Sequence, residues 1–254
     1  MNIVSIPALT DNYIWLLHDD HASALIVDPS ASAPVETVLT TLGLRLKAIL
    51  ITHHHLDHTA GAKALRDRLD VPVYAPQDRR IEAATHQVTN GDELYFVAPA
   101  VKFRVLAVPG HTLSHVAYAG EGLLFCGDTL FSLGCGRLFE GSPEQMLASL
   151  DRLAALPDAT QVCCAHEYTA ANARFAALVA PENTALALRT RQVAALRAAG
   201  KPTLPVLLAG EKATNPFLRV DHTEVIDWCA RQGVTTKSRT VRFAALRKAK
   251  DAFS

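Results

Sequence analysis

The sequence predicts an α+β fold followed by a smaller helical C-terminal domain, and three observations lead there. Over the first two thirds of the 254-residue chain, short apolar runs alternate with stretches of helical spacing. One of those runs, Ala48-Ile49-Leu50-Ile51, delivers the chain into the histidine-rich loop Thr52–His58, the arrangement of a buried strand ending at a site. Past about residue 169 the segments become rich in Ala, Leu and Arg with helical periodicity, and few strand-like runs remain. Residues 1–169 are therefore expected to form the larger domain and 170–254 the helical one.

In chain order, residues 12–17 and 23–28 read as strands, and 34–43 carry helical spacing. The apolar run 48–51 is a strand, a helix follows at about 61–69, and Val71-Pro72-Val73-Tyr74 is another strand. Asn90-Gly91 signals a turn ahead of Glu93-Leu94-Tyr95-Phe96. Further strands are expected at 101–108, 114–119 and 122–126. Ser142-Pro143-Glu144 offers a cap and a first-turn proline for a helix. Helices are expected at 170–180, 184–199 and 221–231.

Composition narrows the function. Lys+Arg and Asp+Glu are both 25, for a formal net charge of +0, which argues against a nucleic-acid partner. No stretch has the apolar length of a membrane span, and Met1 to Pro7 lack the pattern of a secretory signal, so no membrane partner is expected. The five cysteines, Cys126, Cys135, Cys163, Cys164 and Cys229, are odd in number and contain no CxxC. They read as reduced, buried thiols in a cytoplasmic protein.

The loop Thr52-His53-His54-His55-Leu56-Asp57-His58 carries the chemistry. In an extended segment His53, His55 and Asp57 face one side, and His58 lies where the chain turns into the next helix. Imidazole and carboxylate are ligands for zinc, manganese or iron, and four such groups so close together suit two cations better than one. A purification tag would be terminal and purely histidine, whereas this loop is internal and includes Asp57. His54 should point away. Three later residues sit at the ends of apolar runs: His111 after Gly110, Asp128 in Cys126-Gly127-Asp128-Thr129, and His166 in Cys164-Ala165-His166-Glu167. Together with the loop they supply five His and two Asp, enough for two ions with one carboxylate left to bridge. His115, four residues after His111, is expected to support a ligand without being one.

Thr-His-x-His-x-Asp-His followed by Gly-His-Thr, Gly-Asp-Thr and a strand-end His resembles the metallo-β-lactamase superfamily. Within it, Thr10–Tyr13, Gly134–Gly141, Ala165–Thr169, Asn215–Arg219 and the basic tail Arg247–Asp251 resemble the glyoxalase II group, the hydroxyacylglutathione hydrolases. The likeness runs from about residue 2 to 253. It implies an αββα sandwich of two packed sheets flanked by helices, with a helical C-terminal domain. It implies that His53, His55 and His111 hold one metal, that Asp57, His58 and His166 hold the second, and that Asp128 bridges; Asp57 and Asp128 would also orient the nucleophile. It implies substrate contacts at Arg137, Phe139, Tyr168, Arg247 and Lys250. Some members have Tyr where this chain has Phe139, so only packing is offered there.

The implied reaction is hydrolysis of an S-2-hydroxyacylglutathione thioester, S-D-lactoylglutathione foremost, by a monomer holding two divalent ions. Zinc is the first expectation, with iron or manganese also compatible. Two cations acidify a shared water and stabilise a developing oxyanion, and a thiolate leaves without a strong general acid. Arg137, Arg247 and Lys250 suit the carboxylates of glutathione; read without the resemblance, Arg242, Arg247, Lys248 and Lys250 are better taken as a solvated helix face. Two other readings remain open: another enzyme of the superfamily, such as a mononuclear-iron persulfide dioxygenase, separable by metal count and oxygen consumption, and a non-enzymatic metal-binding scaffold, against which the complete ligand set speaks.

Overall fold

The computed structural model describes residues 1–253. The chain gathers into two compact units. The first comprises Met1–Ala107, Ser114–Gly127 and Cys163–His166; the second comprises Val108–Leu113, Asp128–Val162 and the chain from Glu167 on.

In the first unit, β1 (Asn2–Ala8), β2 (Asn12–His18), β3 (Ser23–Val27), β4 (Arg45–Leu50), β5 (Val73–Pro76) and β6 (His86–Val88) lie side by side in sequence order. β1, β2 and β3 pair antiparallel, whereas β3 to β6 pair parallel. The change follows from the connections. The antiparallel strands are joined by short turns, while α1 (Ser32–Leu42) separates β3 from β4 and α2 (Leu56–Thr59) and α3 (Ala62–Leu69) separate β4 from β5. Alternation along the strands then builds the core. Ile14, Leu16, Ala24 and Ile26 pack with Val35 and Leu39 of α1 and Ala62 and Leu65 of α3. A second set of strands, β7 (Glu93–Val97), β8 (Ala100–Ala107), β9 (Val116–Gly120) and β10 (Leu123–Phe125), pairs antiparallel throughout. Tyr118 of β9 is fully buried, and its hydroxyl donates to the carbonyls of Ile51 (2.8 Å) and Tyr74 (3.3 Å), which joins the two sheets face to face. The segment 163–166 joins this unit through the amide of Tyr13 donating to the carbonyl of Ala165 at 2.7 Å.

The second unit holds a two-stranded ladder, β11 (Leu130–Phe131) with β12 (Gly134–Cys135), and helix α4 (Pro143–Ala154). α4 begins in a capping box: Ser142 accepts from the Gln145 amide and Gln145 reaches back to the Ser142 amide, with Pro143 in the first turn. β13 (Gln161–Cys163) pairs antiparallel with β14 (Val206–Leu207). Helices α5 (Thr169–Val179), α6 (Thr184–Ala198), α7 (Leu208–Thr214), α8 (Thr223–Arg231) and α9 (Arg239–Asp251) complete the unit. Phe175, Phe217, Phe243 and Trp228 form an aromatic centre with ring spacings of 5.9 to 6.2 Å. The alanine richness has a packing use, since Ala173, Ala176 and Ala180 of the α5 region surround Leu133 and Leu186. Glu211 of α7 is fully buried, yet it accepts from the Ser132 hydroxyl, the Leu133 amide and the Asn215 side chain.

The α+β class and the helical C-terminal third are as the sequence predicts. β1 was not expected: it is an edge strand, and Pro7 within it weakens the strand signal while being tolerated at an edge. β4 starts three residues before the apolar run, because Arg45 and Lys47 alternate outward at its exposed end. The basic tail is helix α9, whose buried face is Arg242, Phe243, Leu246 and Arg247.

Candidate active site

The first unit builds a histidine cluster in which protein oxygens fix the rings of His53, His58 and His166. β3 is followed by Asp28, a buried residue with φ of 52°. Its Oδ1 accepts from the Thr52 amide at 2.8 Å and its Oδ2 from the Thr52 hydroxyl at 2.7 Å, which sets the direction in which the chain leaves β4. The same Oδ2 lies 3.0 Å from Nδ1 of His58. The Thr52 hydroxyl, having given its proton to Asp28, accepts from Nδ1 of His53 at 3.0 Å. Nδ1 of His166 lies 2.8 Å from Oδ1 of Asp11. In all three rings Nδ1 is taken by an oxygen, so the proton sits there and Nε2 keeps its lone pair.

Those nitrogens converge. Nε2 of His58 and Nε2 of His166 lie 3.5 and 3.4 Å from Oδ2 of Asp57, and ligand atoms of the three residues are all within 4.8 Å of one another. Asn12 fixes Asp57 by donating to its backbone carbonyl and its Oδ2, each at 3.1 Å. Nε2 of His53 faces Nδ1 of His55 at 3.1 Å. His115 stacks on His53 with ring centres 4.5 Å apart, the supporting place expected of it. His54 turns instead toward Asp78, 3.5 Å away. Asp78 also accepts from Ser114 and Arg80, and the Arg80 contact, first among several, holds its carboxyl well below the usual carboxylate range.

Imidazole nitrogen and carboxylate oxygen at this spacing, with His53, His58 and His166 oriented from behind by a hydroxyl or carboxylate, fit a divalent cation. Asp28 also falls within ligand distance of His53 and His58, but its oxygens are engaged by Thr52 and His58, an arrangement that orients those residues.

The second unit holds the other expected residues around a cleft of about 440 Å³, lined by His111, Asp128, Phe131, Cys135, Arg137, Phe139, Tyr168, Ala171, Asn172, Arg247 and Lys250. Gly110 has φ of 154°, and a Cβ there would lie 2.8 Å from Cβ of Met146, so only glycine lets His111 follow at this place. Nδ1 of His111 lies 2.9 Å from the Arg137 carbonyl, leaving Nε2 facing Oδ2 of Asp128 at 3.3 Å. Gly136 is needed for contact: a Cβ there would come within 1.8 Å of the Asp128 carbonyl oxygen.

At the cleft wall, Phe139 is 63% exposed and packs edge-on to His111, and Tyr168, 37% exposed, packs edge-on to Phe131. Arg247 is only 5% exposed. Its Nη1 donates to the Cys135 carbonyl at 2.6 Å, its Nη2 pairs with Asp251 at 3.0 Å, and its guanidinium lies over Phe217. Burial pushes the Cys135 thiol up to about 11, which removes it as a nucleophile. Burial, and then the nearby arginines, lower the Lys250 ammonium below the usual lysine range.

The structure thus brings His53, His55, Asp57, His58 and His166 together in the first unit, and His111, Asp128, Arg137, Phe139, Tyr168, Arg247 and Lys250 together in the second. Sequence reasoning gave no role to Asp28, Asp11 or Asn12. The available signal for Asp28 was a carboxylate at the end of an apolar strand.

Two family models tile the chain: the metallo-beta-lactamase superfamily over residues 9–166, and the hydroxyacylglutathione hydrolase C-terminus over residues 167–253. A protein from Cupriavidus metallidurans named hydroxyacylglutathione hydrolase is 51% identical, covering 100% of this chain and 99% of its own. The chain belongs to the hydroxyacylglutathione hydrolase family. It is a hydrolase, with the metallo-β-lactamase fold and a divalent-metal site built from histidine and aspartate. Among solved structures, ETHE1 from Myxococcus xanthus matches at a TM-score of 0.67 and 26% identity, covering 100% of this chain and 96% of that one. A protein crystallised in a di-iron-bound form matches at a TM-score of 0.54 and 29% identity, covering 65% of this chain and 92% of that one. No helix among the described residues is long and apolar enough to cross a membrane.

Proposed function

We propose that this hydrolase cleaves the thioester of an S-2-hydroxyacylglutathione, with S-D-lactoylglutathione the leading case, releasing glutathione and D-lactate as the second step of methylglyoxal detoxification. One observation carries the reading. The segment matching the hydroxyacylglutathione hydrolase C-terminus contributes Tyr168, Arg247 and Lys250 to the same cleft that His111 and Asp128 line.

In this reading His53, His55 and His111 would hold one ion, Asp57, His58 and His166 would hold a second, and Asp128 would serve both. Zinc is the first choice, and iron or manganese suit the same donors. The ions would supply a water acidified toward neutral pH and a Lewis acid for the thioester oxygen. The chain's own residues do the rest. Asn12 holds the carboxylate of Asp57 in place. Asp11, Asp28 and the Arg137 carbonyl keep the Nδ1 protons of His166, His58 and His111, so the ligand nitrogens stay neutral and aimed. Arg137, Arg247 and Lys250 take the carboxylates of glutathione, and Tyr168 and Phe139 flank the bound thioester, Phe139 by packing alone. The leaving thiolate needs no strong acid. Residues 170–254 act as the glutathione-recognising domain, and the protein works as a cytoplasmic monomer.

Hydrolysis of S-lactoylglutathione by the purified protein, with elemental analysis of the same sample, tests the reading. Turnover together with about two metal equivalents per chain is the expected result. A metal-loaded protein that consumes oxygen and leaves the thioester intact would overturn it.

A further inference from the structure

One carboxylate with no part in the proposed reaction pairs with two of the cations that line the cleft. Asp251, at the end of α9, places a single oxygen, Oδ1, 3.0 Å from Nη2 of Arg247 and 3.7 Å from Nε of Arg137. Both guanidiniums line the cleft, and so does Lys250. A carboxylate at a helix C-terminus faces the partial negative charge of the helix end, so the helix does not favour it there; the two guanidiniums do. The surroundings are otherwise strongly positive. Arg247, Arg137 and Arg174 all push the Lys250 ammonium down, and Asp251 acts in the opposite direction.

We propose that Asp251 is a built-in counter-ion: it already pairs with Arg247 and Arg137, the guanidiniums that a ligand carboxylate would meet, so that glutathione-type ligands bind in competition with it. The proposal rests on the glutathione-thioester reading above. Arg247 does not need Asp251 to stay in place, because its burial, its bond to the Cys135 carbonyl and its stacking on Phe217 already hold it. Asp251 is itself 42% exposed at the side chain, so it can swing aside into water at little cost. Its effect is to weaken the grip of the cleft on any glutathione carboxylate, substrate and product alike. A product that keeps every carboxylate of its substrate would otherwise stay bound, and an internal competitor eases its release.

The test compares the metal-loaded wild type with Asp251→Asn, using S-lactoylglutathione as substrate and glutathione as product inhibitor. The expected result is that KM and the glutathione inhibition constant fall together, by about threefold, the size that partly exposed charge pairs carry. The glutathione affinity of the variant should also fall more steeply between low and high salt, since more uncompensated positive charge meets the ligand. A purely structural role would not steepen that dependence. Should Asp251→Asn fold poorly, Asp251→Ser gives the same readout. In an active wild-type background, unchanged or raised constants assign Asp251 to positioning alone and overturn the proposal. If the wild type does not turn over the thioester at all, the substrate reading falls and the counter-ion goes with it.

Discussion

In the first unit His53, His58 and His166 are buried, and each ring has a nitrogen tied to a protein oxygen. In the cleft of the second unit Phe139 and Arg137 are largely exposed and Tyr168 partly so, and the side chains rest on ring edges and a shared carboxylate. The first arrangement fixes rotamer and tautomer before anything binds, which suits an ion whose bond lengths tolerate little error. The second leaves room for a flexible, charged organic molecule to choose its fit. Within the cleft His111 is held by the Arg137 carbonyl, much as Asp28 and Asp11 hold His58 and His166, and the buried Arg247 is held by the Cys135 carbonyl and the Phe217 ring.

The strongest way to break this contrast is to remove a locked ligand. Changing His58 or Asp57 to Ala should abolish metal retention and thioester hydrolysis together, as elemental analysis and a turnover assay would show; a variant that keeps its metals would undo the assignment. Asp28→Ala should be milder. It leaves every ligand in place but frees the ring of His58 and the loop at Thr52, and it should weaken metal affinity by roughly 10- to 100-fold in a chelator competition. On the softer side, Lys250→Ala should raise KM for the glutathione thioester about tenfold with kcat little changed, the loss of one bond to a charged group. Arg247→Ala should raise KM and also lower the melting temperature, because Arg247 additionally secures the buried carbonyl of Cys135.

A smaller effect separates scaffold from site. Burial raises the Glu211 carboxyl above the ordinary glutamate value, outweighing its hydrogen bonds from Ser132, Leu133 and Asn215. Above the unfolded pKa the native state then holds a proton that the unfolded chain has lost. This group's contribution to stability is therefore complete at low pH and declines as pH rises through the folded pKa. Glu211→Gln keeps the acceptor oxygen and removes the ionisation. Its melting temperature should fall less than that of the wild type between mildly acidic and alkaline pH, a comparison that thermal scans across pH would settle.

The seven proposed ligands stand out in the sequence because a metal demands particular atoms, and His and Asp interleaved after an apolar strand have few other uses. The residues that orient them do not. Asp28, Asp11 and Asn12 reach their partners from other strand ends and turns, across 30 residues from Asp28 to His58 and 155 from Asp11 to His166. No local period records such a pairing. The strands with clear alternation were legible for the same reason the ligands were: one constraint acts on adjacent residues. β11, β12 and β14 are two residues each and carry no period, and α7 owes its place to the bonds of Glu211 and Asn215, with no apolar stripe to announce it.

The division into units has a consequence for modularity. The boundary between the two family models falls at residue 166, which invites the thought of a catalytic module with a detachable tail. The packing does not follow that cut. Segments 108–113 and 128–162 belong to the same unit as the chain from Glu167 on, and they carry His111 and Asp128. A gene ending at codon 166 would encode both residues yet strip away the helices with which their segments fold. Recombination or engineered fusion at that seam would thus pass on the letters of the ligand set without the structure that sets them in place.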